Sequence, residues 1–217
     1  MMEFVPGINL RRLMEKGKVK TSTMIAIGET LEALLDDPLF QYHGDIKPEN
    51  VMVDGDKVTI LDPGFFGAVR TTQGNSYNVA VTTPSYYPEF RPNDQLAFGL
   101  MLWEVATRRH PLSAHGYAIH DPAIGFDEKR HGAGLKQYIE GFRFNGKDRF
   151  LLAFYNTVRP SETRPDIPPA QEEFLLRAVG LSGDDKKRID AGKPFVSIAE
   201  LNEKLRALLK SGVEYFG

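Results

Sequence analysis

The sequence predicts a mainly α-helical domain with one small β-hairpin, built around a buried central helix. Several segments carry apolar residues at the 3.6-residue spacing of amphipathic helices. An Asp-Gly pair separates two short runs of β-forming residues, which is typical of a hairpin. One further segment is apolar on every side, and such a helix must lie inside a domain.

The first forty residues predict two helices. Residues 10–14 have apolar positions at helical spacing, and Gly17 predicts the end of that helix. Thr21 to Thr23 offer N-caps for a second helix, which must end before Pro38. Its apolar stripe consists of Met24, Ile27, Leu31, Leu34 and Leu35.

The next segment predicts the hairpin and a long loop. Residues 51–53 and 58–61 form the two β-rich runs, with Asp54-Gly55 between them. Residues 62–93 are rich in Gly, Pro, Ser, Thr and Asn and are expected to form a loop. Loops of this length in compact domains usually serve a function.

Asp94 is the expected N-cap of the central helix, which runs to about Arg109 and buries Trp103. Its apolar residues are Leu96, Ala97, Phe98, Leu100, Met101, Leu102, Trp103, Val105 and Ala106. Residues 137–144 and 174–179 are expected to be helical, and the proline-rich residues 159–169 to be a loop. A capping box of Ser197 and Glu200 predicts a last helix.

Composition excludes several classes of function. The chain has 217 residues and a net charge of −2, which gives no electrostatic case for nucleic acid or an anionic membrane as the main partner. It has no cysteine, so thiol catalysis and zinc-thiolate sites are excluded. We find neither a membrane-spanning run nor a signal peptide, and we expect a cytoplasmic protein.

The chemistry is concentrated in residues 43–50, which run His-Gly-Asp-Ile-Lys-Pro-Glu-Asn, and in residues 62–64 beyond the hairpin, which run Asp-Pro-Gly. Phosphoryl transfer requires a positioned nucleophile, neutralised phosphates and bound metal ions. A carboxylate, an amine and an amide on one loop, with a second carboxylate nearby, supply the groups for these tasks. The amide and the second carboxylate can bind the metal, because Mg²⁺ prefers oxygen ligands.

This pattern resembles the catalytic loop and metal motif of serine/threonine protein kinases. The resemblance implies ATP and Mg²⁺ as cofactors. It implies that Asp45 accepts the proton of the substrate hydroxyl or orients that group, and that Lys47 balances charge on the transferred phosphate. It also implies that Asn50 and Asp62 ligate magnesium.

The resemblance extends over residues 1–217 as the large C-terminal lobe of the kinase fold. Residues 1–8 resemble the end of the hinge, where the backbone of Glu3 and Val5 contacts adenine. Leu10 and Met52 fall at the floor of the adenine pocket, and Lys47 also belongs to the nucleotide site.

The rest of the motif set has the same order as in the family. Residues 43–64 match the catalytic loop and metal hairpin, and residues 65–93 match the activation segment. By resemblance, Thr83 hydrogen-bonds the catalytic loop and Asp94 binds its backbone. Glu89 is expected to pair with a structural arginine, for which the candidates are Arg188 and then Arg164.

Three departures from the family pattern matter. Gly44 replaces an arginine that meets activation-loop phosphate, and Pro63 replaces a phenylalanine. Nothing precedes the hinge, so we expect a chain that lacks the N-lobe and is weak or inactive alone. Its partner is then a protein substrate, or a protein that supplies or covers the N-lobe face. That face, formed by Phe4, Leu10, Met52 and Leu61, is expected to be exposed and apolar, and to promote self-association.

Two alternatives to a protein phosphotransferase stay open. A kinase lobe kept as a binding scaffold needs no nucleotide. A small-molecule kinase is suggested because His-Gly-Asp and Asp-Pro also resemble the aminoglycoside and fructosamine kinases. Lys47 to Glu49 and the Tyr-Pro-Glu sequence at residues 87–89 favour protein kinases instead.

Overall fold

The computed structural model describes residues 5–17, 19–70, 76–81, 83, 86–87, 93–110, 159–179 and 197–217. The helices in these segments are α1 (Leu10–Lys16), α2 (Thr21–Leu35), α3 (Asp94–Thr107), α4 (Pro160–Thr163), α5 (Pro169–Ala178) and α6 (Ile198–Lys210). The strands are β1 (Ile8–Asn9), β2 (Val51–Asp54), β3 (Lys57–Ile60), β4 (Phe65–Arg70) and β5 (Ser76–Val81). The predicted mainly α-helical class is confirmed. None of these helices has the length and hydrophobicity needed to cross a bilayer.

The predicted hairpin forms the centre of a three-stranded antiparallel sheet with the order β1-β2-β3. Asp54 pairs with Lys57, so the turn is Gly55-Asp56, one residue later than the sequence suggested. Gly55 has a φ of 61° and supplies the left-handed conformation at the first turn position. β1 pairs with β2 and leads directly into α1, which places α1 beside the hairpin.

The expectation that residues 62–93 form one continuous loop is wrong, because this segment contains two paired strands. β4 and β5 pair antiparallel from Phe65↔Val81 to Arg70↔Ser76. Apolar residues alternate in Tyr77, Val79 and Val81, a pattern typical of strands that the Gly- and Thr-rich surroundings obscured.

The central helix α3 is buried along almost its whole length, as predicted. Trp103 is 2% exposed, and every residue from Leu96 to Thr107 is buried. The N-cap is Asn93, whose side chain accepts a hydrogen bond from the Leu96 amide at 3.0 Å. The expectation that Asp94 caps this helix is therefore wrong by one residue. The Asp94 carboxylate instead accepts hydrogen bonds from the backbone amides of His43 and Gly44.

Helices α1, α2, α5 and α6 contribute to the same hydrophobic core as α3. α2 contacts α6, and α3 contacts α5. The side chains of Thr21 to Thr23 do not cap α2, because this helix begins at Thr21, with Lys20 at the N-cap position. The Thr21 hydroxyl instead donates to the Val213 carbonyl at 2.5 Å, which links α2 to the C-terminal segment.

The C-terminal third matches the prediction in part. Ser197 accepts a hydrogen bond from the Glu200 amide and begins α6, as the capping box predicted. α5 begins five residues before the predicted segment at 174–179, and the expected loop at 159–169 contains the short helix α4. The predicted helix at 137–144 lies outside the described residues, as do Glu3, Phe4, Glu89 and Arg188.

The expectation that Leu10 lies on an exposed apolar face is wrong. Leu10 is fully buried, because α1 turns its first residue into the core. Met52 and Leu61 are half-buried, and Ile8 is 37% exposed beside them. The apolar surface at this end of the described domain is therefore smaller than predicted.

Substituting Gly99 with alanine is expected to destabilise the domain, although alanine is the better helix former. A Cβ atom at Gly99 would lie 2.4 Å from the Ala178 carbonyl oxygen, where α3 meets α5. Overpacking of this kind costs about 1–3 kcal/mol, against a helix-propensity gain of about 1 kcal/mol. Because the clash is with the backbone of α5, the cost should lie toward the upper end, and urea unfolding should show a net loss of up to about 2 kcal/mol.

The matched control is Ser22→Ala on the exposed side of α2, which should change the free energy of unfolding by no more than about 0.5 kcal/mol. An unchanged or increased free energy of unfolding for Gly99→Ala would mean that α3 and α5 do not approach this closely.

Candidate active site

Residues 43–50, which we call the 43–50 loop, are held by the first residue of the central helix. The Asp94 carboxylate accepts hydrogen bonds from the backbone amides of His43 at 2.6 Å and Gly44 at 2.8 Å. Tyr87 donates its hydroxyl to Asp94 at 2.5 Å and accepts from the Ile46 amide at 2.8 Å. The expectation that Asp94 binds the backbone of this loop is confirmed.

The phenol of Tyr87 stays protonated in this arrangement. Burial raises the pKa of Tyr87, and the adjacent negative charge of Asp94 raises it further. Tyr87 therefore donates to Asp94 and accepts from Ile46 at any pH near neutrality. Through the Ile46 amide, Tyr87 links the 65–93 segment directly to the 43–50 loop.

A second group of contacts surrounds the Asp45 carboxylate, and we call it the Asp45 cluster: Asp45, Lys47, Asn50 and Thr83. Asp45 accepts from the Thr83 amide at 2.8 Å and from the Asn50 amide group at 2.9 Å. The Lys47 amine lies 2.7 Å from Asp45 Oδ2 and donates to the Thr83 hydroxyl at 2.7 Å. The expected hydrogen bond between Thr83 and the 43–50 loop is confirmed.

The Asp45 cluster fixes the orientation of its carboxylate. Three donors approach the two oxygens of Asp45: Lys47 and Asn50 from the same loop, and Thr83 from a distant part of the chain. The Asp45 and Lys47 side chains are 13% and 21% exposed, so both are shielded from bulk water but still accessible. A carboxylate held beside an amine in this way is suited to orient a hydroxyl and to bind a phosphate.

Asn50 and Asp62 lie next to each other at the base of the hairpin. The Asn50 amide nitrogen donates to the Asp45 carboxylate and backbone, and lies 3.4 Å from the Asp62 carbonyl oxygen. This leaves the Asn50 amide oxygen for another partner. Asp62 is exposed and has a φ of 52°. Aspartate adopts this left-handed conformation more readily than most residues other than glycine.

These two residues fit a magnesium ion. One amide oxygen and one exposed carboxylate are oxygen donors, which Mg²⁺ prefers. In the described part of the chain, no group of three or more acidic or histidine side chains is arranged to hold a metal ion. A site with two protein ligands suits Mg²⁺, which keeps several waters and takes the rest of its ligands from phosphates.

His43 is a buried structural residue. Its side chain is 2% exposed, and its Nδ1 accepts from the Asp45 amide at 3.3 Å. Burial lowers the pKa of His43, although nearby carboxylates oppose the shift. The neutral imidazole therefore supports the backbone of the residue that the resemblance makes catalytic.

A cluster that the sequence analysis missed lies on the other side of the loop. We call it the Arg11 cluster: Arg11, Glu49, Tyr86 and Glu104. Arg11 bonds to Glu49 and to Glu104, each at 2.7 Å. Tyr86 donates to Glu104, which is fully buried in α3. Glu104 itself was the signal in the sequence that could have revealed this cluster, because a charged residue in an otherwise apolar helix requires a partner.

The charges of the Arg11 cluster reinforce each other. Burial lowers the pKa of Arg11, but the charge and hydrogen bonds of Glu104 outweigh it, so the pKa rises overall. Burial, and next the charge of Glu104, raises the pKa of the Tyr86 phenol. The guanidinium and the phenol therefore stay protonated, and both donate to Glu104.

The residues expected to contact adenine are placed less completely. Val5 and Met52 are half-buried near β1 and β2, whereas Leu10 is buried beneath them. The adenine contacts of Val5, Leu10 and Met52 remain predictions. Glu3 lies outside the described residues.

The stability of the domain should fall as the pH drops below 6.5. Since the folded-state pKa of His43 lies below its ordinary value of 6.5, the unfolded chain binds the proton more readily. The contribution is fully present above pH 6.5 and is lost toward the folded pKa, with a slope of at most about 1.4 kcal/mol per pH unit. Urea unfolding between pH 7.5 and about 5 measures it, with His43→Asn as the control. Equal slopes in both proteins would contradict the assignment.

Comparison with known proteins places the chain in a family. A probable serine/threonine-protein kinase of Clostridium acetobutylicum is 30% identical over 194 residues, which are 82% of this chain and 25% of that protein. A dual specificity protein kinase of Dictyostelium discoideum is 31% identical over 133 residues, or 52% of this chain and 26% of that protein. A serine/threonine-protein kinase of Myxococcus xanthus is 27% identical over 210 residues, or 85% of this chain and 33% of that protein.

The chain thus spans a quarter to a third of the length of these relatives. No family model matches the sequence. The similarity to two of these kinases nevertheless extends over more than four fifths of the chain, and therefore includes the 43–50 loop, the hairpin and α3. On this basis the chain is a protein-kinase-like domain.

Proposed function

We propose that this chain is the large, C-terminal lobe of a serine/threonine-protein-kinase-like phosphotransferase, which transfers the γ-phosphate of ATP to a protein hydroxyl. The lobe extends over residues 1–217, with the catalytic loop and metal hairpin at 43–64 and the activation segment at 65–93. The observation that carries the proposal is the Asp45 cluster, in which donors from Asn50 and Thr83 fix one carboxylate beside the amine of Lys47.

Asp45 and Lys47 divide the chemistry between them. Asp45 orients the serine or threonine hydroxyl of the substrate and accepts its proton. The contacts from Thr83 and Asn50 support this role because they fix the carboxylate without covering it. Lys47, which lies 2.7 Å from Asp45 Oδ2, neutralises charge on the transferred phosphate.

Asn50 and Asp62 hold the metal. The Asn50 amide nitrogen is already bonded to Asp45, so its oxygen is the atom available to a cation. Asp62 contributes its exposed carboxylate. When bound, Mg²⁺ neutralises the phosphates of the nucleotide. The names of the relatives support ATP and Mg²⁺ as cofactors, since protein kinases in general use both.

The nucleotide site is completed by the face around β1 and β2. The backbone of Glu3 and of Val5 contacts adenine, and Leu10 and Met52 lie beneath the ring. A protein segment or partner that grips the phosphates covers this face, where Ile8 is 37% exposed. The substrate is a protein with an accessible serine or threonine.

Removing the Asp62 carboxylate should weaken magnesium-dependent nucleotide binding. In calorimetric titrations with Mg²⁺ and ATP, Asp62→Asn should bind at least about tenfold more weakly, because a metal ligand is lost. Asparagine tolerates the left-handed conformation of residue 62, so the backbone is kept. Asp56→Asn, an exposed carboxylate in the same hairpin, is the matched control and should bind like the wild type.

The catalytic role of Asp45 is separable from binding. Asp45→Asn should keep nucleotide affinity within about twofold. Once the segment or partner that covers the nucleotide face is supplied, this variant should lower phosphate transfer to serine or threonine by at least about a hundredfold, because the proton acceptor is lost. Mass spectrometry of the phosphorylated product measures transfer. Full transfer by Asp45→Asn would overturn the mechanism. A chain that binds no nucleotide with or without Mg²⁺ would instead favour the binding scaffold.

A further inference from the structure

Arg11 joins three parts of the chain through one planar side chain. Its Nε donates to Glu49 at 2.7 Å, while Nη1 and Nη2 donate to the two oxygens of Glu104 at 2.7 and 3.2 Å. Nη2 also lies 3.4 Å from the Tyr86 hydroxyl. This uses the forked geometry of a guanidinium, which the single amine of a lysine does not offer. Arg11 therefore fixes α1 relative to both the 43–50 loop and α3.

Glu49 is the point at which this contact reaches the proposed active site. It lies in the 3₁₀ turn Pro48–Asn50, between Lys47 and Asn50. Its Oε2 is buried and has no hydrogen-bond partner in the segments that the structure describes. The contact with Arg11 at Oε1 is therefore what orients Glu49 among those residues.

A purely structural role does not account for these charges. Replacing a buried ion pair with apolar side chains of similar volume is often neutral or stabilising. Glu104 is fully buried in a helix whose neighbouring residues are apolar, where leucine would pack without a desolvation cost. What the ion pairs add is a fixed geometry between elements that lie far apart in the sequence.

We propose that Arg11 is a positioning residue that couples the placement of α1 to the geometry of Lys47 and Asn50 through Glu49. This inference rests on the proposed function, because it assigns the coupling to the proposed phosphate and metal ligands. One side of the turn is held by Asn50 and the Asp45 carboxylate, and the other by Glu49 and Arg11. A displacement of α1 then moves the turn that carries Asn50.

The test uses Glu49 because Arg11 itself is unsuitable. Removing Arg11 would leave the buried Glu104 carboxylate without its cation, which destabilises the fold for a reason unrelated to positioning. Glu49→Ala cuts only the link to the loop and leaves Arg11 paired with Glu104. Glu49→Gln keeps one oxygen acceptor and should restore part of the effect. Glu29→Ala, which breaks the exposed ion pair with Arg206, is the control.

The first readout is amide hydrogen exchange at Asn50, Val51 and Leu61, whose amides donate to Lys47, Pro48 and Asn50 respectively. Glu49→Ala should raise exchange at these amides and in α1 by about tenfold, because a charge-assisted hydrogen bond is lost. Glu49→Gln should fall between Glu49→Ala and the wild type, and Glu29→Ala should leave these sites unchanged. Unchanged exchange in Glu49→Ala, or an equal increase across the whole chain, would overturn the proposal.

The second readout is the Mg²⁺ concentration that gives half-maximal ATP binding. Glu49→Ala should raise it by about tenfold while affinity for ATP without Mg²⁺ stays unchanged, which a loss of overall stability alone would not produce. An unchanged Mg²⁺ requirement would overturn the coupling to the metal site. If the wild type binds no nucleotide, the proposed function fails, whereas the exchange measurement still decides whether α1 and the loop are coupled.

Discussion

The rest of the structure depends on one buried carboxylate, that of Asp94. A buried charge is costly unless it is paired or hydrogen-bonded. Asp94 is 5% exposed and accepts from the amides of His43 and Gly44 and from the Tyr87 hydroxyl. These bonds offset the cost of burial, and they fix the start of the 43–50 loop against the most deeply buried helix of the described domain.

From that point the active-site geometry follows in short steps. The held loop presents Asp45, and Thr83 and Asn50 fix the orientation of its carboxylate. The turn at 48–50 leads directly into β2, and the hairpin returns the chain to Asp62, whose carbonyl lies near Asn50. The groups assigned to hydroxyl orientation, phosphate binding and metal binding thus share one rigid support.

Local patterns in the sequence were sufficient for most of the helices and for the first hairpin. The apolar surface of α3, the end of α1 at Gly17 and the cap of α6 at Ser197 all depend on neighbouring residues alone. The N-cap of α3 was misassigned because Asn93 and Asp94 have similar capping preferences. Only the tertiary contact with the 43–50 loop decides which of the two side chains is free to cap the helix.

The candidate site was predicted in a different way. The resemblance to protein kinases supplied Asp45, Lys47, Asn50 and Asp62, and it correctly supplied the contacts of Thr83 and Asp94 with the loop. It did not supply the Arg11 cluster, because the partners of Arg11 are distant in the sequence: Glu49 is 38 positions away and Glu104 is 93 positions away. Such pairs leave no periodic trace, and only the isolated charge of Glu104 in an apolar helix indicated that a partner was needed.

The central claim, that the Asp94 carboxylate holds the 43–50 loop, is tested most directly by amide hydrogen exchange in wild type and Asp94→Asn. An asparagine retains the size of the side chain but offers one fewer acceptor to the loop amides. We predict that exchange at His43, Gly44 and Ile46 rises by at least about tenfold, while the Leu96 amide, bonded to Asn93, stays protected. Unchanged protection of His43, Gly44 and Ile46 in Asp94→Asn would contradict the claim.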